Sequence, residues 1–201
     1  MPSSTKESPV SVEEYLQLER TALDKSEYFR GEIYAMPYNG ACHSLVSANV
    51  IGELGTQIKG RSGRVYSSDL RIEVPATGLC TYCDVMVICG PVTLSPHADD
   101  MVTNPAVIVE VFSESTEAYD RGNKFANYRA LGSLREYVLV SQNEPLVDVF
   151  FRLPDGKWQI TFARGMDASV PVQSMGIILL LAEIYRGVEF PEQPPLKTLA
   201  S

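Results

Sequence analysis

In AVIVEVF, residues 106–112, one carboxylate, Glu110, interrupts an otherwise apolar strand pattern and shares its face with Ile108 and Phe112. A carboxylate buried there is costly unless it is paired or binds a metal. Asp84 poses the same question at the head of the apolar run Val85, Met86, Val87, Ile88. The third group is Lys124 in DRGNKFANYRAL, where Tyr128 (i+4) and Leu131 (i+7) share its face at helical spacing. That face should pack on the sheet, so Lys124 points inward. Two inward carboxylates and an inward lysine suit phosphoryl chemistry. Carboxylate oxygens bind a hard cation such as Mg²⁺ (or Mn²⁺), which lowers the pKa of a bound water and neutralises charge on a transferring phosphoryl group. The lysine would position that water or stabilise the transition state. The same residues would equally form a buried ion pair kept for specificity, and on residue types alone the two readings are even.

These groups need elements to hold them. Ser11-Val-Glu-Glu14 fits a capping box before Tyr15, Leu16, Leu18 and Leu23, which predicts a short amphipathic helix. EYFRGEIYAM, residues 27–36, reads as a hairpin turning at Arg30-Gly31. From His43 to Lys59, Val46, Val50, Leu54 and Ile58 recur at i+4, the clearest helix in the chain, with a stop at Gly60. Strands are expected over Arg64–Val74, Tyr82–Cys89 and Ala106–Phe112, and a helix over Asp120–Leu131. Three further strands follow in YVLVS, LVDVFF and WQITFA, the last two joined through Pro154-Asp155-Gly156. The expected fold class is α/β (α+β): a helix, then a sheet interrupted by a helix, then more strands, in one domain over 1–190, with 191–201 as a flexible tail.

Composition narrows the function classes. The chain has 201 residues, 45% hydrophobic and 21% charged, which is ordinary for a globular domain. Its longest apolar stretch, Ile177–Ala182, is far short of the roughly 20 residues needed to cross a bilayer. The amino terminus has no apolar leader pattern, so a cytoplasmic protein with no membrane partner is expected. A net charge of −8 argues against a general nucleic-acid coat protein. Cys80-Thr-Tyr-Cys83 lacks two further zinc ligands at suitable spacing and enters a strand, so it reads as ordinary strand cysteines. Asp69 sits mid-strand in VYSSDLRIEV and is expected to pair with Arg71, whereas Asp99-Asp100 reads as solvated loop. Arg121, Arg129 and Arg135 would contact phosphates if DNA approached the Lys124 helix, or else pair with Glu117 or Glu136. His43, one turn from Val46 on the apolar side, reads by itself as a satisfied helix-start histidine, and His97 is given no role.

The runs EYFRGEIYAM, the helix opening at His43, YCDVMVICG, NPAVIVEVFSEST and YDRGNKFANYRALGSLREYVLV together resemble a bacterial family of restriction-type endonucleases in the PD-(D/E)XK superfamily, over about residues 11–190. The resemblance implies a restriction endonuclease-like core, a divalent metal (Mg²⁺ or Mn²⁺) and hydrolysis of DNA phosphodiesters. It places Asp84 on the aspartate of the first half-motif and Glu110 on the acid of the second. Cys83 stands where the superfamily has proline, and Phe112 where it has the motif lysine. Lys124 is then the candidate for a migrated lysine, and Glu32 matches a carboxylate brought to the metal from an early element. His43 and Asp69 match further polar positions near the site. A homodimer would suit a symmetric cut, supported by exposed apolar strands after residue 140. The alternative is a non-catalytic dimeric binding or regulatory module on the same scaffold, favoured by the acidic charge and by Phe112.

Overall fold

The structure is a computed structural model that describes residues 9–190. The expected tail, 191–201, and residues 1–8 of the amino-terminal stretch lie outside them. Helix α1 (Val12–Glu19) opens with the expected capping box: the Ser11 hydroxyl accepts the Glu14 N–H, and the Glu14 carboxylate accepts the Ser11 N–H at 2.8 Å. Strands β1 (Ser26–Phe29) and β2 (Glu32–Ala35) form the hairpin, with Phe29 opposite Glu32. Its two turn residues, Arg30 and Gly31, both take positive φ, 51° and 95°, as a tight hairpin turn requires. Helix α2 (Ala41–Gln57) follows.

The first two strands expected next are broken. Arg64–Val74 becomes β3 (Gly63–Ser67) and β4 (Arg71–Val74), so Asp69 lies in a turn rather than mid-strand. Likewise the strand expected over Tyr82–Cys89 divides between β5 (Leu79–Tyr82) and β6 (Val85–Cys89). The reason is that the chain changes sheets at both breaks. One sheet runs β2-β1-β5-β4-β7, with β7 at Met101–Val102; the other runs β11-β10-β9-β8-β6-β3. The second sheet uses β8 (Val107–Phe112), β9 (Glu136–Ser141), β10 (Leu146–Arg152) and β11 (Trp158–Arg164), and only its β8–β9 pair is parallel. β12 (Ser169–Val172) and β13 (Ile177–Leu180) form a small hairpin sheet that the strand patterning does not predict.

The centre of the six-stranded sheet is buried on both faces. Val107, Val109 and Val111 of β8 pack with Val46, Val50, Leu54 and Ile58 of α2. Ile108 and Phe112 pack on the other side with Tyr128, Leu131 and Leu134 and with Ile72 and Val74 of the five-stranded sheet. Leu54 is fully buried in the first of these layers. Leu54→Ala is therefore expected to lower the unfolding free energy by about 2–5 kcal/mol, read from the urea midpoint. Cys80 and Cys83 are buried in two different clusters, which separates them as the strand reading of that motif expects.

Candidate active site

Asp84 stands where the chain leaves β5 and enters β6. In the antiparallel register of β6 and β8, Val85 lies opposite Val109. One step further along the ladder places Asp84 opposite Glu110. The link is direct, since the Val111 N–H donates to Asp84 Oδ2 at 2.7 Å. Two acids that look unrelated in the sequence thus face each other across one rung, and both line a cleft of about 500 Å³.

Lys124 reaches the same point from across the sheet. Its Nζ lies 2.9 Å from Glu110 Oε1, and the Tyr128 hydroxyl donates to that oxygen, also at 2.9 Å. The supporting helix is shorter than expected and irregular. A single α turn, α3 (Glu117–Tyr119), passes into a π-helical segment, Asp120–Lys124, and then into α4 (Phe125–Tyr128). Such π segments recur at functional sites. This one turns both Asp120 and Lys124 inward, with Nζ 3.9 Å from Asp120 Oδ1. Asp120 was not singled out from the sequence, although its place four residues before an inward lysine was a usable signal.

Burial, reinforced by Asp84 and Asp120, pushes the Glu110 carboxyl up to about 8 even though Lys124 opposes the shift. Burial also raises Asp120, again against Lys124. For Lys124 itself burial acts downward, but the carboxylates of Glu110, Asp120 and Asp84 outweigh it and raise its pKa. The ammonium therefore keeps its protons at neutral pH.

His43, at the start of α2, contacts Asp84 Oδ2 through Nε2 at 3.2 Å. It lines the cleft together with Glu27, which the sequence reading also missed. Glu27 is held by the Thr81 hydroxyl at 2.9 Å and by the Tyr119 hydroxyl. Burial and Glu27 together raise the Tyr119 pKa. Glu32 lies elsewhere: it is exposed on β2, accepts a hydrogen bond from Tyr34, and is not among the cleft-lining residues. Both acids project from the same face of the hairpin, because Glu27 pairs with Tyr34 and Phe29 with Glu32. The inner end of the hairpin meets the cleft, so Glu27 occupies the place expected for Glu32.

Asp69 is also outside the cleft, 87% exposed in its side chain and 3.3 Å from Lys25 rather than paired with Arg71. Arg71 is buried and pairs with Asp100, so that loop acid is not simply solvated. Arg121 pairs with Glu117 at 2.7 Å and with Asp148, and stacks on Phe112. Glu136 is taken up by the backbone N–H groups of Gln173 and Ser174.

Among the described residues, no three His, Cys, Asp or Glu side chains stand close enough to hold a metal by themselves. Magnesium does not need such a cage; one or two carboxylates, waters and substrate phosphates suffice. Asp84 and Glu110 fit that pattern. Among the described residues, the hydrogen bonds to Asp84 fall on Oδ2 and those to Glu110 on Oε1, so Oδ1 and Oε2 are left for a cation.

The chain is similar to two proteins of Synechocystis sp., uncharacterized protein slr1290 (36% identical, covering 90% of this chain and 94% of that one) and uncharacterized protein sll1609 (33% identical, covering 82% and 93%). A crystal structure from Anabaena variabilis, described as a "putative nuclease", superposes with a TM-score of 0.72 at 20% identity, covering 88% of this chain and 98% of that one. That likeness shows that the two chains share a mixed α+β fold of sheets flanked by helices, the class expected from the sequence. No helix among the described residues is long and apolar enough to cross a membrane. The profile of the family described as "Putative restriction endonuclease" matches residues 12–181, and the chain belongs to that family.

Proposed function

We propose that the protein is a metal-dependent endonuclease that hydrolyses DNA phosphodiester bonds in the cytoplasm. The observation that carries this reading is the meeting of Asp84, Glu110 and Lys124 at one cleft, with Nζ 2.9 Å from Glu110 Oε1. Asp84 and Glu110 would hold Mg²⁺ or Mn²⁺, which supplies charge to the scissile phosphate and acidity to a water. Lys124 remains an ammonium, so it donates to a phosphate oxygen or orients the attacking water rather than serving as the base. The Tyr128 hydroxyl and Lys124 fix Glu110 Oε1, and His43 fixes Asp84. These supports hold the two open carboxylate oxygens toward the cleft.

The test is Mn²⁺ titration calorimetry on the wild type and on Asp84→Asn near neutral pH, alone and then with a duplex oligonucleotide. Binding in the wild type that disappears in the variant is expected. A wild type that takes up no Mn²⁺ at millimolar concentration in either setting would overturn the reading and leave a non-catalytic binding scaffold.

A further inference from the structure

Among the described residues the six-stranded sheet ends on β11, Trp158–Arg164, which pairs with β10 on one side only. Natural edge strands are blunted by Pro, Lys, bulges or brevity. This one, WQITFAR, is seven residues long with neither Pro nor Lys. It carries Ile160 and Phe162 on one face, 60% and 74% exposed. Opposite register partners show which face: Phe150 faces Ile160, and Asp148 faces Phe162.

The hydrogen-bond phase of this edge is set by its neighbour. Leu153 N–H donates to Lys157 O, and Gly165 N–H to Pro145 O, both at 2.8 Å. Alternation between those bonds turns the backbone groups of residues 159, 161 and 163 toward β10. The N–H and C=O of Trp158, Ile160, Phe162 and Arg164 therefore point outward.

We infer that the protein forms a two-fold symmetric homodimer by antiparallel pairing of β11 with β11 of a second copy, about an axis through Thr161. The axis is chosen by the strand itself. Only a register joining even-numbered residues to even-numbered residues brings outward N–H groups against outward C=O groups. Among those registers, the one centred on Thr161 overlaps the whole strand. It sets Ile160 against Phe162 of the partner subunit, and Phe162 against Ile160 of the partner subunit, so four exposed apolar side chains close into one patch. The single charge in the run also fits, because Arg164 falls opposite an aromatic ring, Trp158 of the partner subunit, and not a like charge. An isologous contact of this kind closes on itself and removes both exposed edges. The inference stands apart from the nuclease reading.

The test uses the full chain. Sedimentation or light scattering at tens of micromolar should give a dimer for the wild type and a monomer for Phe162→Glu, with the far-ultraviolet dichroism unchanged because Phe162 supports no core contact. The register has its own readout. Residues paired on the axis have Cα atoms about 4.5 Å apart, within disulfide range. In a Cys89→Ser background, oxidised Thr161→Cys should give a covalent dimer, and Gln159→Cys, placed opposite Ala163, should not. A monomeric wild type, or a dimer that survives Phe162→Glu, overturns the inference. A dimer lost in Phe162→Glu but never linked through Thr161→Cys overturns the register.

Discussion

Asp84→Asn is expected to cut DNA cleavage by at least about a thousandfold while the protein stays folded. That loss corresponds to about 4 kcal/mol, within the several kcal/mol a bound cation contributes to transition-state charge stabilisation. The fold should tolerate the change because Asn has the same shape and its amide oxygen can still accept the Val111 N–H. Stability should move by only about 1 kcal/mol, the difference between a charged and a neutral acceptor. His43→Gln separates holding the metal from orienting its ligand. His43 touches Asp84 rather than the reacting atoms, so its loss should weaken metal affinity by about 10–100-fold and spare most of the rate at saturating Mn²⁺. Cleavage rates across a Mn²⁺ series measure both. Full activity in Asp84→Asn would remove that residue from the chemistry, and an unmoved Mn²⁺ midpoint in His43→Gln would make His43 structural only.

Lys124→Met should cost both activity and stability. It removes the cation 2.9 Å from Glu110 and 3.9 Å from Asp120, and stranding a buried charge in this way costs about 3–5 kcal/mol. The pH dependence follows from the direction of the Glu110 shift. A carboxyl whose folded pKa lies above its unfolded value, about 4.3, takes up a proton on folding. Its contribution is complete below the unfolded pKa and is lost as pH rises through the folded one. In the wild type that window ends near 8, and without the ammonium it extends higher. The penalty of Lys124→Met should therefore be smaller at pH 5 than at pH 8 in urea denaturation. Adding Glu110→Gln removes the stranded charge, keeps an acceptor for the Tyr128 hydroxyl, and should recover most of the loss at pH 8. Cleavage should remain absent in the double variant. A double variant as unstable as the single one would show that the Glu110–Lys124 pair is not the source of the cost.

Pattern alone exposed the central acids, because a charge on an otherwise apolar strand face has few explanations. Glu110 is legible from Ile108 and Phe112, and Lys124 from Tyr128 and Leu131, since each shares its face with residues that must be buried. The α2 helix was legible for the same reason, from its four-residue apolar spacing. Local periodicity states which way a side chain points within its own element. It does not state which sheet that element joins, and so the pattern around Asp69 and Asp84 looks like continuous strand where the chain changes sheets.

Glu27 and Glu32 show the limit most clearly. Both sit on one face of one hairpin, and no local rule says which end of that face is covered. Docking of β1 against β5, with Tyr28 opposite Cys80, draws Glu27 under the cleft and leaves Glu32 in solvent. Asp120 and Lys124 both turn inward on a π segment, a change of helical pitch that DRGNK does not announce. By itself the sequence determined the family, the mixed α+β class, and the inward charges Glu110 and Lys124. The tertiary structure decided that Asp84 faces Glu110 across one rung, that Glu27 rather than Glu32 lines the cleft, and that among the described residues β11 ends its sheet. The physical reason is that facing is a local property of a repeating backbone, whereas adjacency depends on which strands pair across long separations in the chain.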